Sequence, residues 1–283
     1  MSAVAHDLRT WRFWRWFLTQ AFSAVGILAV LLELINFIFG KLPMHGWPLA
    51  ITIGVVSIGY GLIRAWPRPI RQQYSSPNTT IEIVSGDLFA QATNLVIGTC
   101  DTFDTSVPNI IAKSSVQGQA LERLYGGDTE QLDRELTEAL RGKVVAATVE
   151  KPRKTEKYVI GTVAALRHVP HRLYFLAYSE MNYSNEAQST PDAIWRSLAS
   201  LWDEVSRTAN GTTVSIPVIG GGQSRLSQVM PAQDAIRFIV MSFMFASRTK
   251  KICDELRIVV QKRDFDRLDR LELQAFLSSM RAS

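Results

Sequence analysis

Cysteine is nearly missing from this chain: Cys100 and Cys253 stand alone and far apart in 283 residues. Their isolation excludes a disulfide framework and the paired-cysteine spacing of structural zinc, and it fits a reducing compartment. Histidine is scarce too, with four in all. Only His168 and His171 fall in the soluble part, three apart among arginines in Arg167-His-Val-Pro-His-Arg172, a pattern of loop residues rather than metal ligands. No internal repeat, P-loop ending or G-x-G-x-x-G fingerprint occurs. Charge is sparse in the first sixty-five residues, although the whole chain carries a net charge of +5 and a pI near 9.3. The arginines flank apolar segments, where an anionic membrane surface accounts for them better than nucleic acid does.

Long apolar runs are what the N-terminal part has instead. From Trp16 to Gly40 the only strongly polar residues are Gln20, Glu33 and Asn36, and a bilayer core of about 30 Å needs about 20 helical residues. A second uncharged run, Trp47 to Ile63, is closed by Arg64. The pattern predicts spans over about 16–40 and 47–65, joined by a short turn containing Pro43 and Gly46. A cleaved signal peptide is excluded by the length of the first run and the second run behind it. Arg9, Arg12 and Arg15 precede the first span and Arg64, Arg68 and Arg71 follow the second, which places both termini in the cytoplasm. Ser57 and Gly61, four apart, permit close helix approach. Glu33 either reaches the far interface or contacts the partner helix.

Residues 66–79 hold three prolines and no apolar period, so they read as a linker, with the soluble domain over 80–283. Strand-like runs fall at 81–84, 94–99, 144–149, 158–166, 173–178, 213–219 and 256–261. Helical patterns lie between them, near 113–124, 129–140, 231–247 and 264–280. The clearest is N-capped by Thr190 with Pro191 at its first position. Alternating strands and helices imply an α/β fold whose sheet is covered on both faces. Ligands in such folds bind beyond the carboxyl ends of the strands. Two loops qualify: Gly98-Thr-Cys-Asp-Thr-Phe-Asp-Thr105, and Ile219 to Arg225 with its three successive glycines. Glycines let backbone N–H groups approach a ligand and form an anion-binding nest. Cys100 is not read as a nucleophile, since the neighbouring Asp101 disfavours a thiolate.

Three segments in this order, Ile83-Val-Ser-Gly-Asp-Leu88, Asn94-Leu-Val-Ile-Gly-Thr-Cys-Asp101 and Ser215-Ile-Pro-Val-Ile-Gly-Gly-Gly222, resemble the macro domain. The resemblance covers roughly residues 80 to 262 and implies a three-layer α/β/α fold with a mixed sheet that binds ADP-ribose or a derivative, with no cofactor and no metal. It implies that Asp87, with Leu88 beside it, accepts from the adenine amino group. The loop with Gly98, Thr99, Cys100, Asp101 and Thr102 would lie around the distal ribose. Ile219, Gly220, Gly221, Gly222, Gln223, Ser224 and Arg225 would wrap the diphosphate. Hydrolytic macro domains usually carry two asparagines where this chain has Gly98 and Asp101, and an aromatic where it has Ser224. These departures favour binding over catalysis.

Two spans ahead of a divergent macro domain are similar to the membrane-anchored effectors (ThsA type) of Thoeris antiphage systems. That resemblance implies a bacterial inner-membrane protein whose ligand is made by a partner TIR-domain enzyme. Binding would drive homo-oligomerisation and membrane disruption, ending in death or arrest of the infected cell. The alternatives are a membrane-anchored ADP-ribosyl hydrolase using Asp101 or Asp104 to activate water, and a passive ADP-ribose-binding scaffold.

Overall fold

The computed structural model describes residues 11–40, 46–66, 69–220 and 230–281. The chain divides into two compact units, Met1–Arg68 and Pro69–Ser283. Among the described residues, the first unit holds two helices, α1 (Trp11–Phe39) and α2 (Trp47–Ala65), each long and apolar enough to cross a membrane. They pack through small residues. Ser57, Gly61 and Ala65 of α2 are buried, Gly61 against Phe17 and Ala21 of α1 and Ala65 in a cluster with Phe13 and Phe17. A Cβ added at Gly61 would sit 3.0 Å from Phe17 Cε2 and 3.1 Å from Ala21 Cβ, so the helices approach closely because this position is glycine. Gly61→Leu should therefore destabilise the pair by about 1–3 kcal/mol of overpacking, visible as a lower melting temperature of the helical signal in detergent. An unchanged melt would show that the contact carries no energy. Glu33 is exposed on α1.

In the second unit an eight-stranded mixed sheet runs in the order β1-β2-β10-β9-β3-β7-β6, with β8 paired to β7. The strands are β1 (Ile70–Ser75), β2 (Asn78–Ser85), β3 (Asn94–Cys100), β6 (Val163–His168), β7 (His171–Met181), β8 (Ala187–Gln188), β9 (Val214–Pro217) and β10 (Glu255–Val260). The five inner strands β2, β10, β9, β3 and β7 are parallel, while β1, β6 and β8 run antiparallel to their neighbours. Buried on both faces, the inner strands are nearly continuous apolar runs such as Leu95-Val-Ile97. One face is covered by α3 (Val116–Tyr125) and α4 (Thr129–Leu140), whose Leu132, Leu136 and Leu140 meet Phe175 and Leu173 of β7. The other carries α5 (Pro191–Thr208), α6 (Ala232–Thr249) and α8 (Arg270–Ser279) around Trp202, whose indole N–H donates to Ser242 Oγ at 2.9 Å. A separate two-stranded ribbon of β4 (Val145–Thr148) and β5 (Glu156–Tyr158) stands outside this sandwich, and the single-turn helix α7 (Lys262–Phe265) follows β10 and adds Phe265 to the core around Trp202.

The helix capped by Thr190 is present, with Thr190 Oγ1 accepting from Ala193 N at 3.1 Å. Four expectations are corrected. The segment 66–79 is not all linker, because β1 occupies 70–75 and β2 starts at Asn78. Ile70, Gln72 and Tyr74 alternate inward, and the buried Tyr74 hydroxyl donates to Leu277 O at 2.7 Å, a partner two hundred residues away in sequence. The run 158–166 is cut at Gly161, whose φ of +98° turns the chain between β5 and β6. The run 144–149 leaves the main sheet for the ribbon. The last helix is split, since Asp269 caps a new helix by accepting from Glu272 N at 3.1 Å.

Candidate functional site

The carboxyl ends of β2, β3, β9 and β10 open onto two cavities that share Val116 and Pro217 as walls. The larger, about 410 Å³, is lined by Gly98, Thr99 and Cys100 from the end of β3, by Ile219 and Gly220 after β9, by Ser115 and Gln117 at the start of α3, and by Tyr178 and Met181 of β7. The smaller, about 280 Å³, is lined by Gly86, Asp87, Leu88 and Phe89 after β2 and by Gln261 and Lys262 after β10. The parallel sheet thus gathers four sequence-distant segments at the carboxyl ends of its strands.

Asp87 sits at the smaller cavity and caps the single 3₁₀ turn Leu88–Ala90, its Oδ1 accepting from Phe89 N at 3.0 Å. Its other oxygen binds the Arg123 guanidinium, which also lies over the Phe89 ring at 5.4 Å. The Arg123 hydrogen bond holds the Asp87 carboxyl below its usual range, so it is an ionised acceptor at neutral pH.

Thr99 is 3% exposed, and its Oγ1 has no hydrogen-bond partner among the described residues. A buried hydroxyl left unpaired is costly, and here it belongs to a residue on the cavity wall. Gly98 gives room to an aromatic ring, for a Cβ there would lie 2.5 Å from Tyr178 Cε1. Gly220 adopts φ +95°, a conformation that favours glycine. Ser115 caps α3 by accepting from Gly118 N at 3.0 Å, which presents the positive end of that ten-residue helix to the larger cavity.

Asp101 and Thr102, expected in the same site, are not on either wall. Asp101 is 1% exposed; its Oδ1 accepts from Met181 N at 2.8 Å and its Oδ2 meets Lys157 Nζ at 3.1 Å. Burial raises its pKa, opposed by those two partners. Thr102 is buried with its Oγ1 3.3 Å from Cys100 Sγ. Asp104 forms a fully buried ion pair with Lys151, and Lys154 Nζ donates to Phe103 O at 2.9 Å. Three lysines from the β4–β5 ribbon therefore pin residues 101–104. Gly221, Gly222, Gln223, Ser224 and Arg225 lie outside the described residues.

The sequence reading missed the wall made by Ile110, Ile111 and Ser115 and that made by Met181 and Asn185 to Ala187. Ser115 had a readable signal, being a capping residue just ahead of a helical pattern. The second wall had none, because β7 runs three residues past Tyr178 on partners supplied by β3 and β8.

Among the described residues, no group of three or more histidine, cysteine, aspartate or glutamate side chains is placed to hold a metal ion. A macrodomain from Oceanobacillus iheyensis solved with ADP covers 75% of this chain and 99% of its own length, at 15% identity and a TM-score of 0.50. The same protein solved with MES gives a TM-score of 0.51 over the same shares. These likenesses establish the macrodomain fold. The Thoeris protein ThsA of Bacillus amyloliquefaciens (strain Y2) is 25% identical over 203 residues, 69% of this chain and 67% of its own. The family model for the macro domain of ThsA matches residues 81–261, from β2 through the end of β10 and thus every strand that borders the two cavities. With that match over well more than half of its length, the chain belongs to the Thoeris ThsA macro-domain family.

Proposed function

We propose that this protein is a receptor and effector of antiphage defence, in which the paired cavities take an ADP-ribose derivative produced by a partner TIR-domain enzyme. Adenine sits at Asp87, the distal ribose at Gly98 to Cys100, and the diphosphate between the start of α3 and the loop that begins at Gly220. The helices α1 and α2 anchor the chain as a hairpin in the bacterial inner membrane with the macro domain in the cytoplasm. Ligand binding shifts the chain to an assembled state that disrupts the membrane, which requires tighter binding to that state than to the resting one.

The observation that carries this reading is that the loop at Asp87 and the end of β3 at Gly98 to Cys100 line two neighbouring cavities that share Val116 and Pro217 as walls, with the buried, unpaired Thr99 hydroxyl behind the larger one. Turned toward the cavity on ligand binding, it would gain from a ligand hydroxyl or phosphate the partner that the described residues do not give it. Binding is favoured over hydrolysis because Asp101 and Asp104, the candidates for activating water, are tied to Lys157 and Lys151.

Thermal shift with ADP-ribose tests the pocket. Wild type should be stabilised, and Asp87→Ala should lose the shift. Thr99→Val should bind about 2- to 13-fold more weakly, the equivalent of one hydrogen bond of about 0.5–1.5 kcal/mol. Its unliganded melting temperature should hold or rise, since only an unpaired group is removed. Wild-type protein that ADP-ribose fails to stabilise, or full turnover of ADP-ribosylated protein, would sink the proposal.

A further inference from the structure

The β4–β5 ribbon is set apart from the main sheet, and its strand β4 is exposed at every position. Among the described residues β4 pairs only with β5, so its other edge presents free backbone donors and acceptors. Soluble proteins usually guard such edges with charge or proline. Here Val144 to Val149 carries neither, and Val144 and Val145 are 68% and 44% exposed.

The segment Lys143-Val-Val-Ala-Ala-Thr-Val-Glu150 is complementary to itself when read backwards. The register of β4 on β5 skips Ala146, with Val145 opposite Tyr158 and Ala147 opposite Lys157. This extra residue changes the alternation of faces. Lys143, Val145, Thr148 and Glu150 fall on one side, and Val144, Ala147 and Val149 on the other. An antiparallel copy related by a twofold axis through Ala147 then sets Lys143 against Glu150, Val144 against Val149, Val145 against the near-isosteric Thr148, and Ala147 against itself. Every facing pair lies on one face, as a closed twofold contact requires. Glu150 has no ion-pair partner among the described residues, and Lys143 has only Glu204 at 3.8 Å. The occupant that matches this edge in shape, charge and register is therefore a second copy of this chain.

We propose that β4 pairs with β4 of a second copy, joining two ribbons into one four-stranded ribbon, and that this contact is how the macro domain assembles. The link to the ligand rests on the receptor reading. Thr99 and Cys100 line the larger cavity, and the residues that follow them, Asp101 to Asp104, are held by Lys157, Lys154 and Lys151 of the ribbon. Tyr158 N also donates to Asp101 O at 2.9 Å. A ligand seated against Thr99 thus bears on the loop to which the ribbon is fastened.

Disulfide trapping of the full-length chain in membranes tests the contact. Directly opposed residues of antiparallel strands have Cα atoms about 4.5–5.5 Å apart, within disulfide range. Ala147→Cys should give a covalent dimer on oxidation, more of it with ADP-ribose, while the native Cys100 and Cys253 are buried and stay out of the reaction. Val169→Cys, 90% exposed in the β6–β7 turn, should stay monomeric. Adding Glu150→Lys to Ala147→Cys should cut the dimer severalfold by facing it with Lys143 of the other copy. Ala147→Cys that traps no more dimer than Val169→Cys, or a dimer indifferent to Glu150→Lys, would overturn the proposal. A trapped dimer without any thermal shift by ADP-ribose would keep the contact and sink the receptor reading instead.

Discussion

Lys151→Met should destabilise the macro unit by about 3–5 kcal/mol, the cost of leaving a buried carboxylate without its counter-ion. The side chains of Lys151 and Asp104 are 0% and 2% exposed, so water cannot replace the lost partner. At about 2–4 °C per kcal/mol for a unit of this size, the calorimetric transition should fall by about 10 °C. The companion variant Lys151→Met with Asp104→Leu should recover most of that loss, because an apolar pair of similar volume carries no desolvation penalty. The order of the two results separates a bad void from a stranded charge: if the void were the cause, the double variant would melt no higher than the single one. A single variant within about 1 kcal/mol of wild type would show that the pair is open to solvent. Lys154 remains bound to Phe103 O and Asp133 in every variant, so the ribbon itself should stay attached.

This pair also marks where sequence reading stops. The inner strands were legible because burial on both faces makes them short apolar runs, and α5 was legible because Thr190 and Pro191 announce its start. Asp87 and Gly220 were legible as loop residues after strands, whereas Gly98 to Cys100, read as the start of a loop, are the last residues of β3 itself. Nothing local distinguishes Asp101 from Cys100, however. The strand register puts Cys100 toward the cavity and gives Asp101 to Met181 N and Lys157, a choice made by residues some fifty to eighty positions away. The ribbon was misread for a related reason: Val144 to Val149 has the composition of a core strand, yet it pairs only with β5 among the described residues, beside lysines whose partners Asp101, Phe103 and Asp104 lie some fifty positions away. The strand β1 was hidden by Gln72, a polar residue whose buried position is set by α8, where Ser278 Oγ lies 3.2 Å from its side-chain oxygen.

Gly98→Asn should abolish most ADP-ribose binding without creating a hydrolase. The substitution introduces the asparagine that the macro-domain resemblance implies for hydrolytic members at this position, yet its Cβ would lie 2.5 Å from Tyr178 Cε1 and 3.1 Å from Cδ1. The Tyr178 backbone cannot retreat easily, since its carbonyl accepts from Ser189 Oγ at 2.5 Å and β7 is paired on both sides. The ring must move instead, and it lines the larger cavity. Overpacking of this kind costs about 1–3 kcal/mol, and a displaced wall should weaken ADP-ribose by about 10- to 100-fold, or about 1.4–2.7 kcal/mol. Isothermal titration of wild type, Gly98→Asn, Tyr178→Ala and the double variant would separate the causes. If crowding is responsible, Tyr178→Ala should restore stability in the Gly98→Asn background, giving a strongly non-additive cycle. None of the four should release ADP-ribose from a modified protein, because Asp101 remains bound to Met181 N and Lys157 and stays off the wall. Turnover by Gly98→Asn alone would mean that one glycine separates this macro domain from an enzyme, and that the lysine-bound aspartates are not what withholds the chemistry.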